Sequence, residues 1–86
     1  MAIRRSLHSK DYKAFLKVLK RVREDAGLTQ LELADRLGQT QTYVSKSERG
    51  QRRVDVVELR KFCFGLKMSP ADFFTLLDKE ISPNKH

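Results

Sequence analysis

Residues 27–50 read GLTQLELADRLGQTQTYVSKSERG, and this stretch decides the fold. Thr29-Gln30-Leu31-Glu32 has the Thr-x-x-Glu spacing in which a threonine caps a helix and the glutamate reaches back to the cap. Leu33, Ala34 and Leu37 then recur three and four apart, which gives a short helix one inward stripe. Gly38 is the predicted stop, since glycine enters the left-handed conformation of a sharp helix end without steric cost. Thr40 can cap a second helix, predicted from Gln41 to about Arg49 and closed by Gly50.

Two short helices joined by a glycine-led turn are a helix-turn-helix in outline. At about 100° per residue, Val44, Ser47 and Glu48 fall on one side of the second helix. Gln41, Thr42, Ser45, Lys46 and Arg49 fan across the other side, and none of them is a carboxylate. A solvated face normally mixes both signs of charge, so this one is suited to meet an anion.

The 86 residues allow one small domain with a single modest core. Apolar content of 40%, charged content of 34% and only two prolines suit a helical chain, and there is no sustained period-two alternation to suggest strands. No apolar run has the length of a membrane span, and no basic-then-apolar leader is expected at the start. A single cysteine forms no internal disulfide, which fits a reducing cytoplasm. The formal charge of +7 is unevenly placed: residues 1–53 hold 13 Lys/Arg against 6 Asp/Glu, and residues 54–86 hold 5 of each. The excess lies entirely in the half containing the helix pair. A polyanion, most commonly nucleic acid, is the natural partner, although a solubilising surface has the same composition.

Residues 1–9, with Arg4 and Arg5, read as a mobile basic arm. The folded domain is expected over 10–81 and a frayed tail over 82–86. Ser9 is the expected cap of a first helix from Lys10 to Ala26, with a core stripe of Phe15, Leu19, Val22 and Ala26 and a wet face of Lys13, Lys17 and Lys20. A basic amphipathic helix also suits an anionic membrane, but here the apolar stripe is needed to close the core, so no membrane partner is expected. Arg23 borders that stripe and Glu48 sits on the inward side of the second motif helix. A small domain buries charges only in pairs, so these two are expected to form a partly buried ion pair that fixes the motif's orientation. Asp55 with Glu58 gives a second capping-box pattern, opening a helix with the stripe Val56, Leu59, Phe62, Cys63 and Leu66. Ser69-Pro70 with Asp72 opens a last helix through about Glu80, carrying Phe73, Phe74, Leu76, Leu77 and Ile81.

Catalysis and metal binding find no support. His8 and His86 lie at the two ends, no histidine or cysteine stands at ligand spacing, and Cys63 falls on a core stripe. No glycine-rich phosphate loop occurs, and no cofactor is expected.

Thr29-Gln30, Glu32-Leu33-Ala34, Leu37-Gly38, Val44-Ser45-Lys46, Glu48-Arg49-Gly50, the Leu59, Phe62 and Leu66 spacing and Ser69-Pro70 together resemble the Cro/cI-type, or XRE-type, helix-turn-helix regulators of bacteria and phages. The resemblance covers roughly residues 15–77 and implies an all-α, five-helix, lambda-repressor-like domain whose third helix enters the DNA major groove. Carried over by position, Gln41, Thr42 and Lys46 match base-reading sites, with Ser45 a fourth. Gln30 matches a phosphate-binding residue that steadies the first reader, and Arg23 and Glu48 match the family's ion pair. Arg49, Arg52 and Arg53 fall where phosphate contacts are usual. The chemistry agrees for the readers: glutamine pairs with adenine in a bidentate fashion, and lysine donates to guanine or, equally well, to phosphate. Tyr43 on the flank suits a phosphate, a thymine methyl or simple packing. The helix start at Thr29 and Gln30 suits a phosphate through its unpaired N–H groups.

Three departures from the family pattern stand out. Ser47 occupies a usually apolar site, Lys67 replaces a helix-ending glycine, and Leu31, Val57 and Phe64 are apolar where polar groups are usual. Val57 and Phe64, with Phe74 and Leu77 of the last helix, form a candidate dimer patch. The expected function is a sequence-specific DNA-binding regulator in the cytoplasm, acting as a homodimer on a pseudo-palindromic operator. Repression is the expected consequence, with 86 residues leaving no room for an effector domain. The alternatives are an antitoxin-type autorepressor that also binds a toxin protein, and a protein-interaction adaptor reusing the fold without reading DNA.

Overall fold

A computed structural model describes residues 9–81. The expectations for the arm, including Arg4, Arg5 and His8, and for the tail, including His86, lie outside the described residues, apart from Ser9. Five helices follow one another: α1 (Lys10–Asp25), α2 (Gln30–Leu37), α3 (Gln41–Glu48), α4 (Val56–Leu66) and α5 (Pro70–Ile81). Among the described residues there is no strand, and no helix is long and apolar enough to cross a membrane.

Each helix begins where a side chain takes over an orphan backbone N–H. Ser9 Oγ accepts from Tyr12 N at 3.0 Å and Ser69 Oγ from Asp72 N at 3.0 Å. Thr40 Oγ1 accepts from Tyr43 N at 3.1 Å. Thr29 with Glu32, and Asp55 with Glu58, form complete capping boxes in which each side chain accepts from the other residue's backbone N–H. Gly38 closes α2 at φ 68°, ψ 32° and turns the chain sharply into α3. Lys67 ends α4 in the same left-handed region, at φ 58°, ψ 42°, so this turn keeps the geometry a glycine would give it despite the side chain.

The core is a single cluster drawn from all five helices: Phe15, Val18, Leu19 and Val22 from α1, Leu33 and Ala34 from α2, Val44 from α3, Leu59, Phe62, Cys63 and Leu66 from α4, and Phe73 from α5, with Val54 from the loop. α1 packs on α5 and α3, and α2 packs on α3 and α4. At Gly65 a Cβ would lie 3.1 Å from both Leu33 and Leu37, so the missing side chain lets α4 approach α2 closely. Arg36 fastens the same crossing by donating to the Gly65 carbonyl at 2.9 Å.

Two stripe residues differ from expectation. Ala26 caps the end of α1 and is exposed, because the helix stops one residue before its next inward position. Val56 is 70% exposed. As the first residue of α4 it precedes the part of the helix that faces the core, and the loop residue Val54 is buried instead. Ser47 is fully buried at its usually apolar site, with its hydroxyl donating to the Tyr43 carbonyl at 2.8 Å. The polar group is therefore satisfied inside the helix rather than leaving a loose spot.

Candidate nucleic-acid interface

α3 is held from behind. Val44, Ser47 and Glu48 are buried, while Gln41, Thr42, Lys46 and Arg49 are exposed and Ser45 is half-buried. The inward carboxylate of Glu48 receives Arg23 Nε on Oε2 at 2.6 Å and Arg23 Nη2 on Oε1 at 3.0 Å. Arg23 Nη1 donates in addition to the Leu28 carbonyl at 2.7 Å, so one guanidinium ties α1, the loop before α2 and α3 together. Hydrogen bonding to Glu48 raises the Arg23 pKa above its ordinary value, and burial opposes this. The pair removes the only carboxylate of α3 from the outward side.

Gln30, at the start of α2, donates from Nε2 to Glu48 Oε1 at 3.0 Å. The side-chain amide is thereby anchored through one hydrogen, and its second N–H remains for another acceptor. By helix geometry the N–H groups of Gln30 and Leu31 have no partner four residues back, while the Glu32 N–H is taken by Thr29 Oγ1 at 3.0 Å. Glu32 accepts from the Thr29 N–H, which holds its carboxyl below the usual range. The N-terminal end of α2 therefore already carries one negative charge along its rim.

The three arginines near the α3 end and the α3–α4 loop are placed differently from one another. Arg49 is exposed and donates to Gln51 Oε1 at 3.1 Å. The Arg53 guanidinium lies 5.8 Å from the centre of the Tyr12 ring, against α1. Arg52 is engaged on several sides. Its Nη2 lies 2.6 Å from Glu58 Oε2, its Nη1 donates to Ser47 Oγ at 3.4 Å, and its guanidinium carbon stands 4.1 Å over the Tyr43 ring. Tyr43, half-buried, stacks on Phe62 with ring centroids 6.1 Å apart and donates its hydroxyl to Glu58 Oε2 at 3.4 Å. Burial raises the Tyr43 pKa, which keeps the phenol protonated. Sequence reading found Glu58 only as a cap; the Arg52-x₅-Glu58 pairing across a loop left no periodic signal to find.

The candidate dimer residues divide between grooves. Phe74 and Leu77 line one with Tyr12, Phe15 and Val56. Phe64, 83% exposed, lines another with Arg36, Arg60 and Lys61. Val57 is also exposed.

Residues 19–73 match a protein-family model described as helix-turn-helix. The chain is 37% identical over 59 residues to an uncharacterised HTH-type transcriptional regulator, y4dJ, of Sinorhizobium fredii (strain NBRC 101917 / NGR234), covering 69% of this chain and 77% of that one. An XRE-family-like protein from Pseudomonas syringae pv. tomato str. DC3000 superposes with a TM-score of 0.78 at 40% identity, covering 91% of this chain and 95% of that one. The restriction-modification controller protein C.Esp1396I, solved as a tetramer in complex with its natural 35 base-pair operator, superposes with a TM-score of 0.79 at 34% identity, covering 85% of this chain and 96% of that one. A five-helix domain with its helix-turn-helix at α2 and α3 is the fold of DNA-binding transcriptional regulators. This chain belongs to the XRE-type helix-turn-helix family of such regulators.

Proposed function

We propose that α3 reads a specific DNA sequence in the major groove, with Gln41, Thr42 and Lys46 facing base edges and Ser45 beside them. The observation that carries this reading is the division of α3. Its outward face is exposed and free of carboxylates, while its one carboxylate is buried against Arg23. Gln41 suits adenine and Lys46 suits guanine, since each presents donors matched to those edges. The N-terminus of α2, at Thr29 and Gln30, and the exposed Arg49 supply the phosphate contacts that set register, with Arg53 beside them on the α1 side. Tyr43 flanks the same face, and Arg52 lies over its ring, paired with Glu58.

One α3 reads too few base pairs for useful specificity, so the active species is a homodimer on a pseudo-palindromic operator. Supporting this, Phe64, Val57 and Phe74 are exposed large hydrophobes on α4 and α5, and the operator-bound controller relative is an oligomer. Occupying an operator blocks transcription directly, so repression in the cytoplasm is the proposed outcome.

Selection of bound sites from random duplex tests this. Enriched half-sites in inverted orientation, with centres about 34 Å apart, are expected. Recovery of no enriched sequence, or of a single unpaired half-site, would overturn the reading.

A further inference from the structure

Glu58 sits at the third position of α4, where its Oε1 accepts from the Asp55 N–H at 3.0 Å. Its other oxygen, Oε2, points back across the loop to Arg52 at 2.6 Å and to the Tyr43 hydroxyl at 3.4 Å. One carboxylate thus starts α4 with one oxygen and holds the flank of α3 with the other. Arg52 is fixed on three sides: by this ion pair, by the buried Ser47 hydroxyl and by the Tyr43 ring beneath it. A charge-assisted hydrogen bond of this length combined with stacking on an aromatic face leaves a guanidinium little freedom to turn toward another anion.

We propose that Glu58 is a positioning residue of the DNA interface: it holds Arg52 across the Tyr43 ring, fixes the flank of α3, and withholds Arg52 from the phosphate backbone. The inference rests on the DNA-reading function proposed above and refines it. Arg52 looks like a phosphate ligand by its position but acts as a strut. Its charge is spent inside the protein, and the sequence preference of α3 depends on Tyr43 being held in place beside Thr42.

Glu58→Gln is the informative variant, because glutamine preserves the capping box while removing the charge that holds Arg52. Binding is measured over a series of salt concentrations, on the duplex enriched by site selection and on a random duplex of equal length. With Glu58 present, Arg52→Ala should leave the slope of log K against log salt within about half a unit of the parent protein. Glu58→Gln should steepen that slope by about one unit as the released Arg52 finds a phosphate. Adding Arg52→Ala to Glu58→Gln should remove the increment. The preference for the selected duplex should fall roughly tenfold in Glu58→Gln, the equivalent of about one mismatched base pair.

In the protein without DNA, NMR should show upfield ring-current shifts for the Arg52 side-chain protons that disappear in Glu58→Gln. A purely structural role for Glu58 would lower thermal stability without changing the salt slope. A slope that falls by about one unit in Arg52→Ala with Glu58 intact would overturn the proposal, as would a Glu58→Gln protein with unchanged slope, selectivity and ring-current shifts. If the parent protein shows no salt dependence at all, the DNA-reading function itself fails, and the ring-current comparison still decides whether Glu58 holds Arg52.

Discussion

Arg23 of α1 and Glu48 of α3 meet through two hydrogen bonds, 2.6 and 3.0 Å long, with their side chains 9% and 2% exposed. Burial of this kind costs much of what the attraction returns, so the pair contributes more to orientation than to stability. Breaking it is a different matter. Arg23→Ala leaves the buried Glu48 carboxylate without its counter-charge, with only the Gln30 amide still donating to it, and should cost about 3 kcal/mol. Replacing both residues, Arg23→Met with Glu48→Leu, should recover at least half of that loss, while still lowering sequence discrimination because α3 loses its anchor. Chemical denaturation of the single and double variants checks the first expectation. A double variant no more stable than Arg23→Ala would show that the pair is a net source of stability.

The pair was within reach of sequence reasoning because both residues bordered apolar stripes of short helices whose ends were marked locally. Thr29 with Glu32, Asp55 with Glu58, Gly38, Thr40 and Ser69-Pro70 each fix a helix end through residues no more than three apart. Periodicity then assigns the faces. It misplaces Val56 and Ala26, because it does not tell which end residue reaches past the body of the domain. Contacts between distant segments were not legible at all. Tyr12 Oη accepting from Val54 N at 3.0 Å, and Arg52 lying over Tyr43 beside Glu58, arise only when α1, α3 and α4 come together.

Gln41 is exposed at the first position of α3, where it has no structural duty that its loss would disturb. Gln41→Ala should therefore leave the melting temperature unchanged, cost about 1–3 kcal/mol of binding to the selected duplex, and relax preference at one base pair per half-site. Repeating the site selection with the variant measures this. An unchanged sequence profile would remove Gln41 from the reading set.

Lys67 occupies the left-handed region at φ 58° and is exposed. A side chain there costs about 1–2 kcal/mol, and the extra freedom glycine has in the unfolded chain returns about 0.5–1 kcal/mol of that, so Lys67→Gly should stabilise the fold by roughly 0.5–1 kcal/mol. Urea titration decides the sign. A destabilised variant would mean that the Lys67 side chain makes a contact worth more than the backbone strain.

Acid should weaken the Arg52–Glu58 contact in a defined window. The Arg52 guanidinium, followed by the Asp55 backbone N–H, holds the Glu58 carboxyl below its ordinary 4.5. A carboxylate depressed in the folded state stabilises the fold above its unfolded value, and that contribution disappears as pH falls through the folded value. Thermal stability should therefore fall as pH drops below about 4.5, and the fall should be shallower in Glu58→Gln, whose side chain does not titrate. Parallel acid limbs for the two proteins would assign the loss to Glu32 and Glu80, whose carboxyls are depressed as well.

The proposed self-association is open to a direct test because Phe74 and Phe64 lie in separate grooves. Phe74 and Leu77 share an apolar groove with Tyr12, Phe15 and Val56, whereas the groove lined by Phe64 also holds the cations Arg36, Arg60 and Lys61. A second copy of this chain seated there would bring three more cations against them, so the Phe74 groove is the better seat for self-association. Phe74→Glu should yield a monomer in sedimentation equilibrium and weaken binding to a two-half-site duplex far more than to a single half-site. Phe64→Glu should remain dimeric. If Phe64→Glu dissociates and Phe74→Glu does not, the pairing runs through α4; if both sediment as the parent protein does, neither groove joins the two copies.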